Sequence, residues 1–187
     1  MGERRLINEV PRRSVLHISF ADNVGGSARG AYRLHMVLKQ LDVHSRMLVA
    51  WKTMNGDVDV DLIGQHRLWL LDRACTRLTD RLSLQDVFVP SSILLPWRRW
   101  FSEADVLQLF NIHGGYFSFT ALRALSRLRP IVWRLDDMWG FTGHCAFSFE
   151  CGRWEHGCGS CSRDLLESDE VQHLPGQASV AKALALG

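Results

Sequence analysis

The chain has 187 residues, of which 47% are hydrophobic and 22% are charged, and its formal net charge is +2. This length suits one compact domain with a sizeable core, and this composition excludes disorder over most of the chain. The small net charge gives no indication of nucleic-acid binding, and without a run of about 18 apolar residues no transmembrane helix is predicted.

The first 13 residues are charged and polar, and they lack the apolar centre of a signal peptide. We therefore predict a flexible lead-in over residues 1–13 and a location in the cytoplasm. In that compartment the five cysteines are expected to be reduced or bound to metal, and not paired in disulfides.

Strand and helix signals alternate along most of the chain. Apolar runs at 14–20 and 44–51 predict buried strands, and the helical spacing of apolar residues over 28–41 predicts a helix with Ser27 as its N-cap. Further strands are predicted at 60–64, 105–110 and 130–135, and further helices at 66–82 and 117–128. This alternation predicts an α/β fold, a Rossmann-like parallel sheet with helices on both faces.

The predicted helix at 66–82 is strongly amphipathic. Its apolar residues recur at spacings of three and four: Leu68, Leu71, Cys75, Leu78 and Leu82. We expect this stripe to pack on the sheet, with Cys75 in the core. Residues 87–103 are predicted to be irregular and contain Trp and Arg residues over 97–101. Aromatic residues beside arginines also suit a membrane surface, so peripheral contact with the inner face of a membrane stays open as an alternative.

The first candidate site is the glycine pair Gly25 and Gly26, which precedes Ser27 and Arg29 between the first predicted strand and helix. Glycines allow a close backbone approach to a ligand, and a helix N-terminus favours an anion such as phosphate. The spacing differs from the dinucleotide fingerprint G-x-G-x-x-G, which argues against an oxidoreductase. The segment is interpreted as a phosphate-binding loop or, alternatively, as a tight turn only.

The second candidate is His113, which precedes Gly114 and Gly115 directly after the predicted strand at 105–110. Ligands of open α/β sheets bind beyond the carboxyl ends of the strands. Histidine donates, accepts or transfers protons near neutral pH. His113 is therefore a candidate catalytic residue, and the alternative is a histidine that only fills or caps the loop.

The third candidate is the pair Asp136 and Asp137, at the end of the predicted strand at 130–135. Their carboxylates could bind sugar hydroxyls or act as a base. Neighbouring side chains of an extended chain point in opposite directions, so a dyad that shares one proton is not expected. One carboxylate is expected to face a cleft and the other to hold the loop, and helix capping is the alternative.

The fourth candidate is a group of four cysteines with His144 and His156 among them: Cys145, Cys151, Cys158 and Cys161. Such a group in a cytoplasmic chain favours a structural zinc site, and a site closed by four thiolates leaves no open position for catalysis. The wide spacing of the first two cysteines lowers the specificity of the pattern. The alternatives are small buried or free thiols, or disulfides in an oxidised preparation.

Three segments, in the same order, resemble the N-terminal domain of bacterial family 4 glycosyltransferases of the exopolysaccharide and colanic-acid type. They are VLHISFADNVGGSARGAYRLH (15–35), ADVLQLFNIHGGYFS (104–118) and PIVWRLDDMWGFTGHCAFSFECGRWEHGCGSC (130–161). The resemblance covers residues 14–161, within which 136–161 form a cysteine-rich loop segment.

The resemblance implies the GT-B fold, in which two Rossmann-like domains face each other across a cleft. The N-terminal domain mainly binds the glycan or lipid-linked acceptor, and the other domain mainly binds the nucleotide sugar. Catalysis generally needs no metal. By this resemblance Gly25 and Gly26 line the cleft near the donor phosphates and His113 lies in the acceptor-side loop. Asp137 matches the aspartate of a His-Asp pair, whereas Asp136 replaces the histidine.

Nothing in residues 162–187 resembles the family, and we expect this segment to be a divergent tail. A two-domain enzyme needs about twice this length. We therefore expect an acceptor-side part of a glycosyltransferase that is inactive alone or acts with a separate donor-domain chain. The alternative is a non-catalytic module that binds a carbohydrate or a protein.

Overall fold

A computed structural model describes residues 13–64, 68–82, 84, 86–142 and 145–156. Within these residues, five parallel strands form one sheet in the order β3-β2-β1-β4-β5. The strands are β1 (Ser14–Ala21), β2 (His44–Trp51), β3 (Val60–Leu62), β4 (Val106–Leu109) and β5 (Ile131–Trp133). The predicted α/β class with a parallel sheet is confirmed.

The helices of the described residues lie between these strands. They are α1 (Gly25–Gln40), α2 (Trp69–Arg81), α3 (Pro90–Ile93), α4 (Arg99–Ser102) and α5 (Leu122–Leu128), with 3₁₀ turns at Leu95–Trp97, Phe119–Ala121 and Arg153–His156. The prediction of irregular structure over 87–103 was wrong, because α3, a 3₁₀ turn and α4 occupy this segment. Pro90 lies in the first turn of α3 and Pro96 at the start of the 3₁₀ turn, where a residue without an N–H group is tolerated.

The two faces of the sheet carry separate cores. On β1, Leu16 and Ile18 join a large cluster with Leu122 and Leu125 of α5 on one face. On the opposite face, Ala31 of α1 packs in a smaller cluster of buried residues: Met47, Val49, Val60 and Phe110. Successive side chains of a strand point to opposite faces, so each face of the sheet has its own cluster. Helix α5 packs on one face and α1 on the other, and helices therefore cover both faces.

A chain of polar side chains, buried except for the half-buried Asp57, lies between α1 and the sheet. The Ser45 hydroxyl lies 2.9 Å from His17 Nε2 and 2.8 Å from His35 Nδ1, and His35 Nε2 lies 3.3 Å from Asp57 Oδ2. Both histidines are fully buried. Burial, together with the nearby His35, lowers the pKa of His17 to about 3. His17 is therefore neutral in the folded protein near neutral pH.

Helix α2 faces the protein with its polar side, which contradicts the expected packing of its apolar stripe. The side chains of Leu71, Leu78 and Leu82 are more than half exposed, and Cys75 is half-buried and lies outside the core. Asp72 accepts hydrogen bonds from the backbone N–H (2.9 Å) and the hydroxyl of Ser91. The polar anchors of α2 thus lie on the side away from its leucines. In the described part of the chain, each helix is too short or too polar to cross a bilayer.

Candidate functional site

The strand order creates a crevice beyond the carboxyl ends of β1 and β4. These strands are neighbours, but β1 leads to α1 on one face of the sheet and β4 leads to α5 on the other. Loops that leave adjacent parallel strands toward opposite faces separate at a switch point, where open α/β sheets bind ligands. A cavity of about 270 Å³ occupies this place. Its lining includes Gly25, Gly26, Ser27, His113 and Gly114.

The start of α1 forms one wall of this cavity. The helix begins at Gly25 with Val24 as its N-cap, and no side chain caps its first turn. The prediction of Ser27 as the N-cap was therefore wrong, because the helix starts three residues earlier than predicted. The first turn contains no acidic residue. Its backbone N–H groups and the positive end of the helix dipole favour an anion at this wall.

The two glycines of this loop have different roles. Gly25 has a φ of +82°, whereas Gly26 does not have a positive φ, and a Cβ atom added at Gly26 would meet no atom within 4 Å. We expect Gly25→Ala to lower the free energy of unfolding by about 1–2 kcal/mol, because a Cβ strains a left-handed backbone. The matched variant Gly26→Ala is expected to be neutral or slightly stabilising. Urea denaturation of both variants checks this, and an equal loss in both would contradict the role assigned to the backbone conformation of Gly25.

The opposite wall carries a histidine–carboxylate pair. His113 Nε2 lies 2.8 Å from Asp137 Oδ2, and the backbone N–H of Trp139 donates to Asp137 Oδ1 at 2.9 Å. The His113 ring centroid lies 5.4 Å from that of Trp139, which is buried. The loops after β4 and β5 therefore hold His113 in one orientation. This arrangement brings together two residues that the sequence predicted separately.

Asp136 points away from this pair, as expected for neighbouring carboxylates. Its carboxylate accepts a hydrogen bond from the Ser27 hydroxyl and forms an ion pair with Arg134, whose Nε lies 2.7 Å from Asp136 Oδ1. Asp136 thus joins the start of α1 to the end of β5. With both oxygens engaged, its geometry suits holding the crevice together.

Two other predicted residues lie near the cavity without lining it. Arg29 Nε donates to the carbonyl of Asn23 at 3.4 Å and is exposed. Gly115 donates its N–H to Asp86 Oδ1 at 2.6 Å, and Gly114 donates to Asp86 Oδ2 at 3.4 Å. Gly114 and Gly115 have φ values of +98° and +78°, so their backbone conformation suits glycine. Asp86 therefore fixes this glycine turn, although no local sequence signal indicated it.

Asp22, at the end of β1, is a second residue that the sequence did not indicate. This buried carboxylate accepts hydrogen bonds from the hydroxyl (2.6 Å) and the backbone N–H of Thr53 and from the N–H of Met54 (2.8 Å). Burial raises the pKa of Asp22, but these hydrogen bonds outweigh burial and hold the pKa below its ordinary value. Asp22 thus ties the loop after β2 to the edge of the crevice.

We expect Asp22→Asn to lower the free energy of unfolding by about 2–4 kcal/mol. The NH₂ group of asparagine would face the donors of Thr53 and Met54 at a buried position, where it could not accept their hydrogen bonds. The control Asp61→Asn removes an exposed carboxylate whose ion pair with Arg98 is 3.0 Å long, and is expected to cost less than about 1 kcal/mol. Denaturant titration at neutral pH measures both. Equal losses would contradict the assigned role of Asp22.

The predicted zinc site lies partly outside the described residues. Cys145 and Cys151 are half-buried, whereas Cys158 and Cys161 are not among the described residues. Within those residues no group of three or more His, Cys, Asp or Glu side chains is placed to bind a metal. The segment folds back on itself, since Met138 donates its N–H to the carbonyl of Ala146 at 2.7 Å. The zinc site stays a prediction from cysteine spacing.

Comparison of the chain with models of protein families, with curated proteins and with solved structures finds no match.

Proposed function

We propose that the chain is the acceptor-side Rossmann-like domain of a GT-B glycosyltransferase, which transfers a sugar from a nucleotide sugar to a glycan or lipid-linked acceptor. The proposal rests on the sequence resemblance and on one structural observation. That observation is the His113–Asp137 pair, which lies across a cavity from an uncapped helix N-terminus at the switch point of the sheet.

The start of α1 has the chemistry to hold the diphosphate of a nucleotide sugar. Departure of a nucleoside diphosphate places negative charge on its phosphate oxygens. Backbone N–H groups and the dipole of a helix N-terminus stabilise such charge when they are already oriented toward it. Gly26 leaves open space beside this turn, since an added Cβ there would meet nothing within 4 Å.

The histidine–carboxylate pair has the chemistry to orient the acceptor hydroxyl. With Asp137 ionised, His113 Nε2 carries the proton that Asp137 Oδ2 accepts, and Nδ1 keeps its lone pair. That lone pair accepts a hydrogen bond from a sugar hydroxyl. The hydrogen bond from the Trp139 N–H fixes Asp137 and thus fixes the tautomer of His113. Asp136 is assigned the supporting role of holding α1 against this loop.

The experiment is a transfer assay with labelled nucleotide sugars and glycan or lipid-phosphate acceptors. The chain is assayed alone and together with a donor-binding domain supplied as a separate chain. The proposal is supported if transfer is abolished in His113→Ala and unchanged in His44→Ala. His44→Ala is the control because it also removes an imidazole. Saccharide or protein binding without transfer under any pairing favours the non-catalytic module instead. If the chain shows no binding and no transfer, both functions are contradicted.

The structural zinc remains part of this proposal, with Cys145, Cys151, Cys158 and Cys161 as its ligands. The zinc would hold the segment after β5 together and would take no part in sugar transfer. Peripheral membrane contact and a cytoplasmic location are likewise proposed for the complete enzyme, because a lipid-linked acceptor lies at the membrane surface.

A further inference from the structure

A second, larger cavity of about 740 Å³ lies between α2 and the carboxyl ends of β2 and β3. Its volume lies in the range of sites for small organic ligands. Gly114 lines both this cavity and the crevice of about 270 Å³, so the two are neighbours. The proposed sugar transfer does not account for this second cavity.

Three cationic side chains face this cavity. Lys52 comes directly after β2, and Arg73 and Arg77 lie one turn apart on α2. Lys52 Nζ donates to the carbonyl oxygens of Asp57 (3.2 Å) and Val60 (2.5 Å), which are uncharged acceptors. Among the described side chains, no carboxylate lies within ion-pair distance of any of the three cations. The cavity therefore carries an excess of positive charge.

Among the described residues, Asp72 supplies the one carboxylate that lines the cavity, and its single charge does not balance the three cations. Asp72 Oδ1 accepts the backbone N–H of Ser91, and Asp72 Oδ2 accepts its hydroxyl. Asp72 is thus used to fasten α2 to α3. Three cations contributed by two different elements match a phosphate dianion better than a single carboxylate, which one arginine satisfies.

Aromatic and aliphatic side chains complete the lining. Trp51 and Trp69 are both 53% exposed, and Leu62 and Ile63 line the same space. The guanidinium carbon of Arg73 lies 5.3 Å from the ring centroid of Trp69, so charge and an aromatic surface adjoin each other. Indole rings that stay half exposed inside a cavity offer a surface for an apolar or aromatic group.

We propose that this cavity is a binding site for an organic phosphate, with the phosphate at Lys52, Arg73 and Arg77 and the apolar part between Trp51 and Trp69. The reversed orientation of α2 is consistent with this use. If α2 packed its leucines on the sheet, its arginines would face solvent. The site does not depend on sugar transfer, because it requires only the cavity and its charges.

The probe is 1-naphthyl phosphate, which combines a phosphate dianion with an aromatic body and is small enough for the cavity. Isothermal titration calorimetry with the full chain compares it with inorganic phosphate and with 1-naphthol. We expect 1-naphthyl phosphate to bind at least roughly 10-fold more tightly than either, because each of them supplies only half of the contacts. Equal affinity for 1-naphthyl phosphate and 1-naphthol would overturn the proposal.

The variants Arg73→Gln and Arg77→Gln are each expected to weaken binding by roughly 10-fold, the effect of losing one charge-assisted hydrogen bond. Arg81→Gln is the matched control, since Arg81 lies on the same helix, is exposed and does not line the cavity. Equal weakening by Arg81→Gln would show that surface charge alone attracts the probe, and would overturn the proposal. Thermal unfolding of the three variants shows whether α2 is intact.

Vesicles identify the source of the phosphate. Vesicles with phosphatidic acid, whose headgroup is a phosphate monoester, are compared with phosphatidylcholine vesicles. If only the phosphatidic acid vesicles displace 1-naphthyl phosphate, the site is assigned to a lipid headgroup. If neither kind of vesicle displaces 1-naphthyl phosphate, the site is assigned to a free organic phosphate. In both cases weaker binding to Arg77→Gln than to the unchanged chain is required. Because this assay measures no transfer, the site and the proposed function fail or succeed separately.

Discussion

Replacing Asp137 by alanine in the active pairing of the chain with a donor-binding domain is expected to lower sugar transfer by roughly 10²–10⁴-fold. The carboxylate holds the Nε2 proton of His113 and receives the N–H of Trp139. Without it, neither the tautomer nor the orientation of His113 is fixed. Asp137→Asn is a second variant of nearly the same shape. It is expected to retain folding and still to lose transfer, because an amide does not fix the same tautomer.

The control is Asp61→Ala, which removes an exposed carboxylate on β3. Transfer rates and thermal unfolding midpoints are measured for all three variants. We expect Asp137→Asn to unfold near the midpoint of the unchanged protein. If Asp137→Ala and Asp137→Asn both unfold and transfer is lost only for that reason, Asp137 has a structural role and the catalytic assignment is wrong.

Acid is expected to destabilise the protein strongly because of His17. Its pKa is about 3 in the folded protein against 6.5 ordinarily. Between these values the unfolded chain binds a proton that the folded protein does not bind, so stability falls as the pH falls. The slope approaches about 1.4 kcal/mol per pH unit at the acid end, and the loss adds up to roughly 2 kcal/mol between pH 6.5 and about pH 4.5. This loss is a large part of the 5–15 kcal/mol that is typical of a domain.

Three other groups with a lowered pKa also affect how the free energy of unfolding depends on pH. Burial also lowers the pKa of His35, so His35 adds to the loss in acid. The pKa of Asp22 and that of Asp57 lie below their ordinary values, so these groups contribute stability that is lost only at lower pH. The window above about pH 4.5 therefore mainly reports the two histidines.

His17→Gln tests this assignment, because glutamine can bond to Ser45 but does not titrate. Free energies of unfolding from urea titrations are compared at several pH values. We expect the pH dependence of His17→Gln to be shallower than that of the unchanged chain, whereas His156→Gln, an exposed control, keeps the full slope. Parallel curves for His17→Gln and the unchanged chain would contradict the role of His17.

Much of the sheet was predictable because its strands are continuous apolar runs. Strand β2 has the predicted bounds, and β1 exceeds its predicted range by one residue. The switch-point residues were also predictable, since carboxyl ends of parallel strands meet at one edge. This geometry places the glycine loop after β1 beside His113 after β4, although the two are far apart in the sequence.

Other features depend on contacts that local sequence patterns do not contain. The periodicity of α2 predicts a helix but not which side faces the protein, and here Asp72 and its bond to Ser91 decide the orientation. Asp22 and Asp86 act through bonds to Thr53 and Gly115, each roughly 30 residues away. No local spacing marks such carboxylates as structural. The start of α1 was placed too late because a positive-φ glycine begins it.

The way α2 is attached also determines how its backbone exchanges hydrogen with solvent. Its leucines contribute little burial, and apart from Asp72 it is tied to the glycine turn by a 3.4 Å bond from the Thr76 hydroxyl to the Gly115 carbonyl. Amide protons of α2 therefore exchange through a local opening that costs less than global unfolding, whereas those of β1 exchange only when the whole sheet opens. Helix α2, which lines the larger cavity, is thus less protected than β1, and a ligand bound in that cavity would slow exchange in α2.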